Sequence, residues 1–142
     1  MNIQELAEQS AKIVHTYTVS QEVYDNFQRC SHDLNPLHTD QDFAKRKGFQ
    51  SCVMYGNILN AFVSHFVGML LPLKEVMILS QDISYHLPVY MNDEIALESS
   101  IDTVSEAVNA ISYKLKFYRM GEKRQLVAKG HVQIGLLKGE EQ

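Results

Sequence analysis

The sequence has few cysteines and no pattern of residues typical of a metal site. Its two cysteines, Cys30 and Cys52, form no CxxC pair, and no two of its six histidines have the spacing of zinc ligands. Isolated cysteines of this kind are typical of reduced thiols in the cytoplasm. We therefore expect a cytoplasmic protein that needs neither a metal nor a cofactor.

The chain also lacks a basic excess and a long apolar run. Its formal net charge of −4 disfavours non-specific binding to nucleic acid or to an anionic membrane. The longest apolar stretch lies within Ile58–Leu71, is broken by polar residues and is closed by Pro72, so it is too short to span a bilayer. The N-terminal region has acidic Glu5 and Glu8 instead of a basic start and an apolar run, so we expect no signal peptide. These patterns predict a soluble protein with neither nucleic acid nor a membrane as partner.

The length and composition fit one domain. A chain of 142 residues with 45% hydrophobic residues can bury a substantial core but is too short for two typical domains. We therefore expect a single domain over residues 1–142. Residues 1–12 are mostly polar and predict a turn or an N-terminal arm, and residues 138–142 predict a frayed tail.

The first half of the chain has helical signals after one short strand at Ile13–Thr18. Ser20 is a candidate cap for a helix, and Thr39 or Asp40 for a second one that ends at Gly48. The inner faces of these two helices are expected to hold Val23, Tyr24, Phe27, Cys30, Phe43 and Ala44. A third, main helix is predicted from about Gly56 to Leu71, and its apolar residues cover most of its surface, which indicates burial on most sides.

After Pro72 the hydrophobic residues alternate with polar ones, as in half-buried strands. Four such segments are expected to turn these residues inward: Met77, Leu79, Ile83, Tyr85 and Leu87; Ile95, Leu97 and Ile101; Ile111, Tyr113, Leu115 and Phe117; Leu126, Ala128, Val132, Ile134 and Leu136. One central helix followed by alternating strands predicts an α+β fold, with an antiparallel sheet wrapped around a long central helix.

The segment Ser31–Asp40, with the sequence SHDLNPLHTD, has the strongest functional signal. Asp33 and His38 are five positions apart, a spacing that no helix or strand period places on one face. The intervening Asn35-Pro36 step predicts a bent, rigid loop. Such a loop can turn an acid and an imidazole toward one point, which suits proton transfer in both directions. The alternative is a capping loop whose polar side chains only bind nearby backbone groups.

The motif Asp33-x-Asn35-Pro36-x-His38, followed by a glycine at the start of an apolar helix, resembles the MaoC-like (R)-specific enoyl-CoA hydratases and dehydratases. The similarity continues through Leu87-Pro88-Val89 and Asp93-Glu94. It implies a hot-dog fold and a homodimer or a dimer of dimers. One position departs from the family pattern, which usually has His-Gly where this chain has Tyr55-Gly56.

The resemblance implies the reversible syn hydration of a trans-2-enoyl thioester of coenzyme A or acyl carrier protein to an (R)-3-hydroxyacyl thioester. Asp33 and His38 would share the catalytic water, with Asn35 as their orienting partner. The Gly56 N–H, at the positive end of the main helix, would receive the enolate charge.

The acyl chain would run along the main helix past Ser64 and Val67. Tyr55 would donate its hydroxyl into the site, fill the site's mouth, or mark a member without activity. Two other functions stay open: a non-catalytic acyl-thioester-binding protein and a hot-dog thioesterase. Thioesterases of this fold usually place a carboxylate on or near the main helix, and residues 56–71 contain neither Asp nor Glu.

Overall fold

The computed structural model of the chain describes residues 1–139, and its strands and main helix follow the order predicted from the sequence. They are α1 (Ile3–Gln9), β1 (Lys12–Thr18), α2 (Gln21–Ser31), α3 (Pro36–Thr39), α4 (Gln41–Arg46), α5 (Ile58–His65) with a π-helical last turn (Phe66–Leu70), β2 (Val76–Tyr85), β3 (Glu94–Ser105), β4 (Ala110–Arg119) and β5 (Gln125–Leu136). No helix of residues 1–139 is both long and apolar enough to cross a membrane.

The five strands form one antiparallel sheet in the order β1-β3-β4-β5-β2, so β1 and β2 are its edges. In the central strand β4 the predicted alternation is complete: Tyr113 and Phe117 are fully buried, whereas Lys114 and Lys116 are exposed. This alternation gives the sheet one apolar face, which must be covered.

The main helix α5 covers that face. The Phe66 ring packs edge-on against Tyr113 with 5.5 Å between ring centroids, and Phe62 stacks on Tyr17 of β1 at 4.4 Å. The helix begins two residues later than predicted, after a turn at Gly56 and Asn57, and it gives way to extended backbone at Leu71, as expected of a residue before proline. The predicted α+β fold is confirmed.

The N-terminal segment is more ordered than the predicted arm. Ile3, Leu6 and Ala7 recur at helical spacing and are buried in the core as parts of α1, which Asn2 caps. The polar composition of residues 1–12 hides this narrow apolar stripe. The predicted inward position of Cys30 is wrong, since its side chain is exposed at the last turn of α2. Of the predicted tail, residues 140–142 lie outside the described residues.

The predicted inward set of the β2 segment is wrong except at Ile83, which is partly buried. Met77, Leu79, Tyr85 and Leu87 are exposed, and Val76 and Ile78 are the partly buried residues in the first half of β2. A register shift between Ile78 and Ser80 inserts one extra residue, which exchanges the two faces of the strand. The position of β2 at the sheet edge makes this bulge tolerable.

Candidate active site

The loop between α2 and α3 is shaped by short-range hydrogen bonds. An Asp33 carboxylate oxygen accepts the Asn35 N–H at 2.9 Å, and the Asn35 side-chain oxygen accepts the Leu37 N–H at 2.9 Å. Asn35 thereby caps α3, whose first residue is Pro36. The side-chain amide of Asn35 thus binds the backbone of this turn, and its main-chain carbonyl accepts the His38 N–H at 2.9 Å. Asn35 therefore orients the acid and the imidazole through the turn that carries both.

The loop places the carboxylate of Asp33 opposite the imidazole of His38. His38 Nδ1 lies 2.6 Å from the Val53 carbonyl oxygen, which can only accept, so Nδ1 carries the proton. His38 Nε2 then faces Asp33 Oδ2 at 4.0 Å, which is too long for a direct hydrogen bond. One water oxygen can lie within hydrogen-bonding distance of both atoms. The imidazole is 17% exposed and the carboxylate 45%, so solvent and a ligand can reach the pair.

Tyr55 lies behind this pair, with a side chain only 2% exposed. Its ring stacks on the His38 imidazole with 4.3 Å between centroids, and its hydroxyl donates to the Asp33 carbonyl at 2.6 Å. The Gln28 amide donates to the same hydroxyl at 3.1 Å. The hydroxyl is therefore engaged with the loop and does not point at a ligand in the cleft. Tyr55 has the position of a residue that holds both Asp33 and His38.

Tyr24 supports the same loop, although the sequence indicated only a place in the core. Its hydroxyl donates to the His38 carbonyl at 2.7 Å and lies 3.2 Å from the Val53 carbonyl. Burial raises the pKa of the Tyr24 hydroxyl, which keeps it a neutral donor. Tyr24 and Gln28 are one helical turn apart on α2 and face the loop together. This spacing of two side chains with polar ends is the sequence signal that could have predicted their role in supporting the loop.

The pair opens into a cleft of about 260 Å³. Its lining comprises Phe27, Ser31, Asp33, His38, Tyr55, Gly56, Asn57 and Tyr85. Gly56 stands in the turn just before α5, and its N–H donates no hydrogen bond to any of the described residues. A donor left free at the positive end of a helix suits an anionic oxygen. Tyr85, from the sheet, was not singled out by the sequence as a site residue.

Three of the predicted site residues do not line the cleft: Asn35, whose bonds lie within the turn described above, Ser64 and Val67. Ser64 is exposed on the outer surface of α5, whereas Val67 is 5% exposed and packs in the core. Neither lines the cleft with Asp33 and His38. Among residues 1–139, no group of three or more His, Cys, Asp or Glu side chains is placed to hold a metal ion.

The fold agrees with comparisons to known proteins. The family profile described as MaoC like domain matches residues 2–117. The chain belongs to the MaoC-like family. The predicted resemblance is confirmed.

Two curated relatives indicate the range of activities in this family. An (R)-specific enoyl-CoA hydratase of Aeromonas caviae is 35% identical over 80 residues, which cover 56% of this chain and 60% of that protein. A mitochondrial 3-hydroxyacyl-[acyl-carrier-protein] dehydratase of Solanum lycopersicum is 30% identical over 89 residues, covering 63% and 53%. The matched regions thus span less than two thirds of the length of these curated relatives.

A solved structure supports the fold over a longer span. The (R)-hydratase from A. caviae involved in PHA biosynthesis superposes with a TM-score of 0.79 at 26% identity, covering 88% of this chain and 93% of that one. The hot-dog fold implied by the resemblance is therefore confirmed.

Proposed function

We propose that this MaoC-like protein catalyses the reversible addition of water to a trans-2-enoyl thioester, giving an (R)-3-hydroxyacyl thioester. The observation that carries the proposal is the pairing of Asp33 Oδ2 with His38 Nε2 at 4.0 Å, in a cleft that Gly56 also lines. The names of the relatives support the same reaction class. We expect a thioester of coenzyme A or of acyl carrier protein as the substrate, no cofactor, and a cytoplasmic location.

The geometry suits a single water held by two acceptors. With the Nδ1–H of His38 donated to Val53, its Nε2 lone pair and the Asp33 carboxylate can each accept one hydrogen of the water. As the water oxygen bonds to Cβ of the substrate, one O–H bond breaks and its proton passes to the pair. The electrons of the Cα=Cβ bond move toward the thioester carbonyl. The proton then passes from the pair to Cα on the same face, which makes the addition syn.

Charge develops on the thioester oxygen during this step. Gly56 lines the same cleft as the pair, precedes α5, and its N–H has no acceptor among the described residues, so this N–H is our candidate donor for the enolate oxygen. The absent side chain of Gly56 also allows the thioester to approach the backbone. The carboxylate that lines this cleft comes from the Asp33 loop and not from the main helix, which agrees better with hydration than with hot-dog thioester hydrolysis.

One assay separates this proposal from its two alternatives. We expect the protein to consume crotonyl-CoA without releasing free thiol. The loss of enoyl absorbance measures this consumption. Thiol release from acyl-CoA would establish a thioesterase instead. Binding of acyl-CoA by calorimetry with neither signal would establish a non-catalytic binding protein.

We predict that Tyr55→Phe lowers kcat while leaving the KM for crotonyl-CoA near its wild-type value. The change removes the hydrogen bond that holds the Asp33 carbonyl, worth about 1 kcal/mol, but keeps the ring that stacks on His38. A loss of that size corresponds to at most roughly a tenfold fall in rate.

Tyr118→Phe is the matched control, since the Tyr118 hydroxyl makes no hydrogen bond within the described part of the chain and Tyr118 lies on β4. Wild-type kcat in Tyr55→Phe would show that the hydroxyl does not position Asp33.

We also propose that the protein is a homodimer or a dimer of dimers. Strand β2 is a sheet edge, and its exposed residues include Met77 and Leu79. An edge of this kind favours pairing with a second copy. Light scattering at micromolar concentration should give twice or four times the mass of the chain, and a monomeric mass would refute this prediction.

Ser64 and Val67 remain the predicted wall of the acyl path. Ser64 lies on the outer face of α5, so a path past it would run over the surface of the helix. Val67 points into the core, where truncation leaves a void. A shift in chain-length preference in Val67→Ala would support this path.

A further inference from the structure

We infer that Arg119, at the end of strand β4, is a positioning residue for the imidazole of His38. It acts through a chain of backbone hydrogen bonds and does not itself contact the catalytic pair. This inference rests on the proposed function and deepens it, because it identifies what keeps the imidazole in the tautomer that the reaction needs.

The guanidinium of Arg119 is a half-buried anchor with three partners. Its Nη1 group donates to the Pro88 carbonyl at 2.7 Å and to Asp93 Oδ2 at 3.2 Å. Its Nε–H and Nη2 groups donate to Gln125 Oε1 at 3.2 and 3.0 Å. The Arg119 and Asp93 side chains are only 20% and 22% exposed, so solvent screens this ion pair weakly. A planar guanidinium can hold several partners at once, which a single ammonium group does less well.

These bonds fix the loop between β2 and β3. Pro88 and Asp93 lie toward the two ends of this loop, so Arg119 ties both ends to β4. The same carboxylate oxygen of Asp93 accepts the Tyr90 N–H at 2.9 Å, which shapes the turn between them. The backbone of the loop therefore has a fixed position against the sheet.

The loop in turn holds the segment that contains the hydrogen-bond acceptor of His38. The Val89 carbonyl of the loop accepts the Met54 N–H at 2.7 Å. The neighbouring residue, Val53, binds the catalytic segment: its N–H donates to the Leu37 carbonyl at 3.0 Å, and its carbonyl accepts the Nδ1–H of His38 at 2.6 Å. The dipeptide Val53-Met54 therefore joins the loop to the catalytic imidazole.

Three hydrogen bonds of 2.6–2.7 Å, joined by two peptide bonds, connect the guanidinium to the imidazole: Arg119 to Pro88, Met54 to Val89, and His38 to Val53. Donation of the Nδ1–H leaves the Nε2 lone pair facing the Asp33 carboxylate. A shift of the acceptor carbonyl weakens this donation and allows the proton to move to Nε2. An imidazole protonated at Nε2 no longer accepts a hydrogen of the water there.

Arg119→Met should lower kcat for crotonyl-CoA by about tenfold and leave KM near its wild-type value. The change keeps the aliphatic stem and removes every donor of the side chain. The expected loss is smaller than the roughly hundredfold that a misplacement of 1 Å can cost, because the Tyr24 hydroxyl also holds the Val53 carbonyl. Arg119→Lys keeps the charge and a donor for the Pro88 carbonyl, so it should restore part of the rate.

The imidazole gives a second readout that does not depend on activity. In protein labelled with a nitrogen isotope at histidine, NMR shifts of the ring nitrogens at alkaline pH report which nitrogen carries the proton. Comparison with His38→Gln identifies the His38 signals among the six histidines. We expect the Nδ1–H tautomer in the wild type and a detectable Nε2–H tautomer in Arg119→Met. This result in a protein that does not hydrate crotonyl-CoA would support the inference and refute the proposed function.

The partner of the ion pair separates positioning from a purely structural role. Asp93→Asn removes the ion pair but keeps the bond from Arg119 to the Pro88 carbonyl, so it should lower the melting temperature and leave the His38 tautomer unchanged. Adding Asp93→Asn to Arg119→Met removes the carboxylate that would otherwise be unpaired. The double variant should recover part of the melting temperature but not the wild-type tautomer.

Arg124→Met is the matched control, since Arg124 forms an ion pair with Glu98 and lies over the Tyr118 ring. It should keep the kcat and the His38 tautomer of the wild type. An unchanged tautomer in a folded Arg119→Met would overturn the inference. An equal change in Arg124→Met would also overturn it, because the effect would then follow from the loss of any arginine at this end of the sheet.

Discussion

Asp33→Asn and His38→Gln should each reduce the hydration rate by about a hundred- to ten-thousandfold without unfolding the protein. Each change removes an acceptor for the water while keeping most local bonds. The asparagine oxygen can still accept the Asn35 N–H, and a glutamine amide at position 38 can still donate to the Val53 carbonyl. The expected loss is that of general acid–base catalysis. Steady-state rates with crotonyl-CoA measure this loss of rate. Circular dichroism tests whether each variant is folded.

The double variant should be little slower than either single one, because the two residues act on one water. Additive losses in the double-mutant cycle would show that Asp33 and His38 work separately.

The chain offers a matched control for these substitutions. Asp82 and His131 form a second acid–imidazole pair, with 3.4 Å between Oδ1 and Nδ1, on the adjoining strands β2 and β5. Their side chains are 67% and 48% exposed, and neither lines the cleft. Asp82→Asn and His131→Gln should therefore leave hydration near wild type. A loss there as large as at Asp33 would mean that the effect reflects stability and not the site.

Gly130→Ala should destabilise the protein by about 3 kcal/mol, the upper end of the usual cost of overpacking. A Cβ atom at Gly130 of β5 would lie 1.9 Å from the backbone oxygen of Asp82 in β2. A backbone atom cannot rotate away as a side chain can, so β2 must separate from β5 near this point. Urea unfolding followed by circular dichroism measures the change in the free energy of unfolding.

Gly135→Ala is the control on the same strand. Its added Cβ would lie 3.1 Å from Leu79 Cδ1, the end of an exposed and flexible side chain that can move. We expect its free energy of unfolding to fall by much less than that of Gly130→Ala. Equal effects would show that the cost comes from alanine in this strand and not from the backbone contact.

Much of the fold was predictable because it depends on local patterns. The alternation at Ile111–Phe117 predicted β4 and its buried face, and the apolar helix closed by Pro72 predicted α5. The caps at Ser20 and Asp40 bind backbone N–H groups three residues on, as their sequence positions indicated. Each of these features is decided within a few residues of the chain.

Other features were missed because their signals are weak or lie far away in sequence. The apolar stripe of α1 is three residues in a polar segment, and the bulge at Ile78–Ser80 leaves no mark in the alternation. Ser64 was placed near the site by its position about two helical turns after Gly56, but the structure leaves it exposed and outside the lining of the cleft.

The sequence by itself determined that Asp33 and His38 lie in one bent segment, since the hydrogen bonds of Asp33 and Asn35 that shape it join residues two positions apart. The predicted loop is shorter than expected, because Pro36 starts the short helix α3 that carries His38. Only the tertiary structure decided what surrounds them. The Tyr55 hydroxyl reaches the Asp33 carbonyl, and the Tyr85 ring meets Gly56, because α2, α5 and the sheet pack together. Short-range bonds follow from the order of residues, but the partner of a side chain from a distant segment follows from packing, which no local pattern contains.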